Sequence, residues 1–318
     1  MEMWLSLMAG LVLLVLGGEF LVRGAVRVAE RLGVSPLVIG LTLVGFGTST
    51  PELVTSVQAA LKGVPGIAYG NVVGSNIANI LLIMGAAALI TPIAVQSAAL
   101  KRDGGVLVAV ALGFAALSTT MSLGLGIGLA FVLALALYIY MAFRQESRGA
   151  VREKAEAAQA TDPALAPNGT TSLPVSLLTA LGGLALVVLG GYLLVEGATT
   201  LARSLGISET VIGLTVVAIG TSLPELVTSV MAAIRKQADM AFGNIIGSNI
   251  YNILGIAGVT AMVSPGDVPT EILTFDNLVM IAASLAVVTL AWTGLRISRR
   301  EGAALLAGYG VYLWALWP

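Results

Sequence analysis

The chain contains no cysteine and no histidine. Without cysteine there are no disulfides, no thiolate metal sites and no thiol redox chemistry. Without histidine, zinc-protease motifs, haem ligation and the usual imidazole proton relay are excluded. Charge is scarce as well. Asp, Glu, Lys and Arg make up 10% of 318 residues, against roughly 25% in soluble domains. The formal net charge of −1 gives no basic excess for nucleic acid to meet, so no nucleic-acid partner is expected.

What fills the chain is apolar. Hydrophobic residues account for 57% and the mean hydropathy is +0.97, so the lipid bilayer is the expected environment. Runs of about 20 apolar residues span the hydrocarbon core as helices. Ten such runs are predicted, near 3–22, 36–60, 67–90, 104–118, 124–143, 173–195, 210–233, 240–263, 275–293 and 302–317, with the fourth and tenth short. The start, Met1-Glu2-Met3-Trp4, lacks the basic n-region of a cleaved signal, and the first run is read as a retained helix. The expected fold is an all-α membrane protein of ten transmembrane helices.

The chain also repeats itself. GTSTPELVTSV at 47–57 returns as GTSLPELVTSV at 220–230, GNVVGSNIANIL at 70–81 as GNIIGSNIYNIL at 243–254, and LGGEFLVRGA at 16–25 as LGGYLLVEGA at 189–198. One offset, 173 residues, relates all three pairs. The halves divide as 1–143, a first five-helix repeat; 144–172, a linker; and 173–318, a second five-helix repeat.

Basic residues predict the orientation. With ten spans, one side collects Arg23, Arg27, Arg31, Lys101, Arg102, Arg144, Arg148, Arg152, Lys154, Arg235, Lys236, Arg296, Arg299 and Arg300, and the other holds Lys62 and Arg203. Fourteen of sixteen on one side makes that side cytoplasmic by the positive-inside rule, with both termini outside. Five spans per copy is an odd number, so the second copy is predicted to enter the membrane inverted. Trp4, Trp292, Trp314 and Trp317 lie near span ends, where interfacial anchors belong. The linker RQESRGAVREKAEAAQATDPALAPNGTTS is charged and then rich in Ala, Pro and Thr. Its start is read as a continuation of the fifth helix and its end as flexible chain. Asn168-Gly169-Thr170 fits a glycosylation pattern but is placed on the cytoplasmic side and set aside.

Each copy carries one Glu, Glu52 or Glu225, inside an apolar run. An intramembrane carboxylate costs at least a few kcal/mol, so two at matching positions mark function. Thr48 and Glu52 share a helical face with Ser49 beside them. Pro51 removes a backbone donor and disturbs the carbonyl of Gly47, and Gly45 and Gly47 loosen the same turn. A helix broken at membrane depth is tolerated where it lines a cavity, and its carbonyls there coordinate cations. Ser75, Asn76 and Asn79, with Ser248, Asn249 and Asn252, add hydroxyls and amides. Hard oxygen donors of this kind suit Na⁺, Ca²⁺ or Mg²⁺ rather than zinc or copper, and the tolerant geometry favours Ca²⁺ over Mg²⁺. One Ca²⁺, two Na⁺ or two protons would each neutralise the two carboxylates.

Other polar positions have blander readings. Asn76 and Asn249 suit hydrogen bonding between helices, and Gly70, Gly74, Gly243 and Gly247 suit close helix contact. Thr55, Ser56, Thr228 and Ser229 suit back-bonding to their own helix. Glu19, matched by Tyr192, is placed to snorkel or to pair with Arg23.

The doubled GTSTPELVTS and GNVVGSNIANI motifs resemble the signature repeats of the cation/calcium exchanger family, in particular its prokaryotic sodium/calcium exchangers. The resemblance covers nearly the whole chain. It implies a secondary antiporter that exchanges Ca²⁺ for Na⁺, or in some branches H⁺ with or without K⁺, by alternating access. It implies ion ligands at Thr48, Ser49, Glu52, Ser75 and Asn79, and at Thr221, Ser222, Glu225, Ser248 and Asn252. Backbone carbonyls near Gly45 and Ala218 complete the set, and spans one and six form a sliding gate. No cofactor is implied beyond the transported ions. One departure stands out: sodium/calcium exchangers commonly carry Asp at the position of Asn252, which leaves this site with two acids and bears on the choice between Na⁺ and H⁺. A Ca²⁺/H⁺ antiporter is therefore the alternative. A passive cation channel ranks below both, since inverted broken helices build two gates around one site. An intramembrane hydrolase ranks lowest, for want of an intramembrane Arg or His.

Overall fold

In a bilayer every backbone N–H and C=O must be satisfied within its own segment, and so apolar runs become helices. The computed structural model of the protein describes residues 2–63, 65–160, 172–204 and 218–316. Its helices are α1 (Glu2–Leu32), α2 (Leu37–Thr48), α3 (Thr50–Leu61), α4 (Pro65–Ile90), α5 (Ser97–Thr120), α6 (Leu125–Ala160) and α7 (Leu173–Ser204). There follow α8 (Ala218–Thr221), α9 (Leu223–Ile234), α10 (Ala238–Val263), α11 (Ile272–Gly294) and α12 (Arg299–Leu316).

Among the described residues, seven helices are long and apolar enough to cross a bilayer, and α2 with α3, bent by 44°, makes an eighth span. α9 is a shorter apolar helix, and the predicted start of its span at 210–217 lies outside the described residues. α12 has 18 residues and opens with Arg299, Arg300 and Glu301. The start of the linker is helical, as expected, because α6 runs to Ala160. Residues 161–171, with Asn168, lie outside the described residues.

The predicted fourth span, 104–118, is too short. α5 begins at Ser97 because its charges are neutralised within the fold. Asp103 is fully buried and takes two bonds from Arg102, at 2.6 and 2.9 Å, and one from the Tyr138 hydroxyl at 2.9 Å. The second copy repeats the motif, with Tyr312 donating to Asp276 at 2.9 Å.

Contacts between the copies establish the inversion. Strand β1 (Ile93–Ala94) pairs antiparallel with β2 (Arg296–Ile297), and Leu123 bridges Gly266. The 173-residue offset carries 93 to 266 and 123 to 296, so the two pairings are images of each other to within one residue. Ile93 and Leu123 lie beyond opposite ends of α5, whose 24 residues rise about 36 Å. Matched residues Ile93 and Gly266 therefore sit at opposite ends of the molecule, as a two-fold axis in the membrane plane requires.

α1 and α7, the first span of each copy, pack against each other along their length. Glycines let their backbones touch: a side-chain carbon on Gly183 would come within 2.2 Å of the Leu21 nitrogen, and one on Gly24 within 2.3 Å of the Ala180 nitrogen. Without a hydrophobic driving force between lipid-soaked helices, such close approach supplies the van der Waals gain. Glu19 pairs with Arg23 as expected. It also receives Arg235 at the end of α9, with Nε 2.7 Å away, which ties α1 to the second copy. Trp4, Trp292 and Trp314 face outward, and Lys101 lies 5.9 Å over the Trp292 ring.

Two measurements check this architecture. Gln96→Cys and Ser122→Cys, each the sole cysteine in the chain, are expected to label from the cytoplasm and from outside respectively. Labelling of both from one face would contradict the alternation of loops. Gly183→Val is expected to destabilise the detergent-solubilised protein by at least about 1–3 kcal/mol, read as a lower thermal midpoint. An unchanged midpoint would show that the α1–α7 seam is looser than the backbone contacts indicate.

Candidate cation-binding site

The two GTS-x-PE segments fold alike. α2 ends at Thr48 and α3 begins at Thr50, with Ser49 between them at φ −83°, ψ 7°. Ser222 breaks the second copy in the same conformation, φ −88°, ψ 6°. Pro51 and Pro224 each occupy the first turn after the break, where the missing N–H is not needed. The break thus falls at the serine, two residues before the proline, and Glu52 and Glu225 enter the first turn of the helix that follows.

α4 and α10 cross these breaks, and each widens into a π-helical stretch, Asn79–Met84 and Asn252–Ala257. Both stretches start on a predicted ligand. π-turns of this kind disturb the regular backbone ladder and recur at functional sites. α10 reaches α2 closely, because a side-chain carbon at Gly243 would lie 2.6 Å from the Leu37 carbonyl and one at Gly247 2.7 Å from Leu41. Gly243 and Gly247 thus fill the packing role expected of them. Gly70 and Gly74 have no described neighbour that close, and Thr210 and Leu214, the counterparts of Leu37 and Leu41, lie outside the described residues.

The two copies meet at their acids. Ser49 Oγ donates to Glu225 Oε1 at 2.7 Å, and Ser222 Oγ donates to Glu52 Oε1 at 3.1 Å. Each carboxylate is therefore held by the broken helix of the opposite copy. Both glutamates are only 1% exposed. Ser222 also reaches Ser75 at 3.4 Å, and Ser248 reaches the Gly45 carbonyl at 3.5 Å. That carbonyl also accepts the Ser49 N–H at 3.1 Å. Thr48 lies 3.4 Å from the Gly45 carbonyl as well. Ala218 opens the short helix α8.

The remaining oxygens are as informative. Among the described residues, Glu52 Oε2, Glu225 Oε2 and both amide atoms of Asn79 and Asn252 are buried without a hydrogen-bond partner. A buried polar atom left unpaired costs about 1–3 kcal/mol, and more when charged. Here the unpaired atoms come as matched pairs beside two carboxylates. A cation here would satisfy the carboxylate and amide oxygens, though not the amide nitrogens, and those oxygens are the hard-donor set that Ca²⁺ and Na⁺ accept. Asn76 and Asn249 spend their amide nitrogens on Val72 and Ile245 of their own helices, at 2.7 and 2.8 Å. They bond within a helix rather than between helices.

Sequence reasoning passed over Asn71 and Asn244, which stand inside the GN-x-x-GSN motif. Asn71 Nδ2 donates to the Glu52 carbonyl at 3.1 Å and to Ser56 at 3.0 Å. Asn244 Nδ2 donates to the Glu225 carbonyl at 3.4 Å and to Ser229 at 2.8 Å. Ser56 and Ser229 are thus acceptors for these amides, and Ser56 donates to Ala68 across the helix pair at 3.2 Å, so neither is engaged by back-bonding. The doubled asparagine in the motif was the available signal.

Known proteins share this architecture. The signature of the family described as sodium/calcium exchanger protein matches residues 2–144 and 175–317. The sodium/calcium exchanger MaX1 of Methanosarcina acetivorans is 41% identical over 339 aligned positions, covering 98% of this chain and 97% of its own. The inner membrane protein YrbG of Escherichia coli is 36% identical over 96% of this chain and 94% of its own. The solved structure of the sodium-calcium exchanger NCX_Mj, soaked with Na⁺ and no Ca²⁺, superposes with a TM-score of 0.85 at 32% identity, covering 99% of both chains.

Unpaired buried carboxylates give a direct thermodynamic expectation. Glu52→Gln removes a charge from a low-dielectric site, so in ion-free buffer the variant should melt at or above the parent. The parent should gain stability with Ca²⁺ as RT ln(1 + [L]/Kd), and the variant should not. Thermal unfolding in detergent with and without Ca²⁺ reads both effects. Equal Ca²⁺ stabilisation of parent and variant would remove Glu52 from the site.

Proposed function

Because this chain belongs to the sodium/calcium exchanger protein family, we propose that it is a secondary active antiporter that moves Ca²⁺ against Na⁺ by alternating access. The observation that carries this reading is the reciprocal pair Ser49–Glu225 and Ser222–Glu52. It supports a single cation site shared by two inverted copies, with ligands drawn from Thr48, Ser49, Glu52, Ser75 and Asn79 and their counterparts Thr221, Ser222, Glu225, Ser248 and Asn252. The Gly45 carbonyl and its counterpart at Ala218 complete the proposed set. The linker face is the cytoplasmic face on this reading.

The physics of exchange follows from charge. Two carboxylates loaded with one Ca²⁺, or with two monovalent cations, present no net charge to the low-dielectric barrier. The same site without ions carries two negative charges, and its passage would cost several kcal/mol. The filled site moves and the unfilled site stays, which couples the two fluxes. The glycine-lined seam between α1 and α7 lets those helices move together against the remaining spans, and inversion makes the two end states equivalent.

Protons are the second candidate for the coupling ion, favoured by one observation: positions 79 and 252 are both neutral Asn, so the acids number two. Vesicles loaded with Na⁺ at clamped pH, compared with vesicles holding a pH gradient and no Na⁺, separate the two. ⁴⁵Ca²⁺ uptake is expected in the first and not in the second. The reverse result would make the protein a Ca²⁺/H⁺ antiporter, and uptake without either gradient would make it a channel. Glu52→Gln and Glu225→Gln should each reduce Na⁺-driven uptake to background while the protein still folds. Near-normal flux in either would sink the shared site.

A further inference from the structure

We propose that Asn71 and Asn244 are positioning residues that aim the two site threonines at the ion and tie down the turns carrying the two glutamates. The inference rests on the cation site proposed above.

The orientation of Asn71 is set by its neighbours. Ser56 gives its own proton to the Ala68 carbonyl at 3.2 Å, so it can only accept from Asn71, and the amide nitrogen must face α3. The nitrogen also holds the Glu52 carbonyl. The amide oxygen is then turned to the other copy, where the Thr221 hydroxyl lies 3.5 Å from it. Asn244 repeats the arrangement: its nitrogen holds Ser229 and the Glu225 carbonyl, and its oxygen lies 3.4 Å from the Thr48 hydroxyl. The same motif built twice, from different neighbours, argues against accident.

The chemistry gives this geometry its purpose. A hydroxyl binds a cation through an oxygen lone pair, so its proton must point away from the ion and needs an acceptor there. Ser49 and Ser222 give their protons to the opposite glutamates. The threonines have the asparagine oxygens. For Thr48 the competing acceptors are the Gly45 carbonyl, also at 3.4 Å, and the Glu225 carboxylate. A proton given to Asn244 instead removes one donor from that carbonyl, which the Ser49 N–H and the Ser248 hydroxyl also approach. At 3.4–3.5 Å these contacts exceed the usual O–H···O length, and they bias the hydroxyl rotor rather than clamp it. The bias crosses the two-fold axis, so each copy sets the ligand of the other.

Ca²⁺ titration calorimetry on the purified full chain tests the pairing through two double-mutant cycles. Asn71→Ala is expected to weaken Ca²⁺ binding about two- to tenfold. Its effect should be smaller in a Thr221→Val background, where no hydroxyl remains to be aimed and only the tie to the Glu52 turn is lost, and full in Thr48→Val. Asn244→Ala should show the mirror pattern, coupled to Thr48 and not to Thr221. Residues that merely support the fold would give additive effects in every background, and additivity, or coupling to the threonine of the same copy, overturns the proposal. Where alanine prevents folding, Asn71→Gln and Asn244→Gln, which keep the amide but displace its oxygen, replace it in the same cycles. A parent chain that binds no Ca²⁺ would overturn the site itself, whereas a parent that binds with additive cycles overturns only the positioning role.

Discussion

Two buried carboxylates inside apolar helices are the constraint on which the rest of this molecule depends. The hydroxyl that reaches each of Glu52 and Glu225 comes from the broken helix of the other copy. The site therefore exists only when the two copies are assembled, and its position is the axis that relates them. The broken helices follow from the same constraint. A continuous helix would keep its carbonyls to itself, whereas a turn opened at serine and restarted after proline delivers a hydroxyl and an acid to one point.

Membrane helices are drawn together less by hydrophobicity than by how closely they can approach. Glycine sets that distance at several seams, two of which frame the site. Along α1 and α7 the contacts are backbone to backbone and smooth, with Gly17, Gly24, Gly183 and Gly190 each facing the opposite helix. Across α2 and α10, Gly40, Gly243 and Gly247 bring the α-helical start of α10 against the broken helix of the other copy. The first seam is apolar among the described residues, since the Glu19 pairs run within α1 and to the end of α9, and on the proposed reading it slides. The second is crossed by the asparagine and serine bonds of the site and is held in register.

The offset of 173 made much of this legible in advance. A doubled acid, a doubled proline break and a doubled GSN motif located the site and implied the inversion, and the structure brings Ser49, Ser75, Ser222 and both glutamates together. Other features were hidden for physical reasons. α5 runs past its predicted start because Arg102 and Tyr138 neutralise Asp103, and hydropathy counts a charge without seeing its partner. The π-helical stretches at Asn79 and Asn252 depend on where a neighbouring helix crosses. Asn71 was overlooked because an amide in a membrane helix is commonly a packing residue. Its partners lie 15, 19 and 150 positions away, beyond any local periodicity.

The neutral pair Asn79 and Asn252 shapes the electrostatics of the proposed exchange. With only two acids, the site and its inverted image carry the same charge, so neither copy is the stronger ligand by charge alone. A load of two positive charges cancels the site, whether as one Ca²⁺ or as two monovalent ions. A third monovalent ion would leave an uncompensated charge at membrane depth, with no third carboxylate to meet it. On the proposed reading, the substitution that removes an acid from the site thus also removes the reason for a third ion. The exchange that best suits these residues is one in which both loads cross the bilayer neutral.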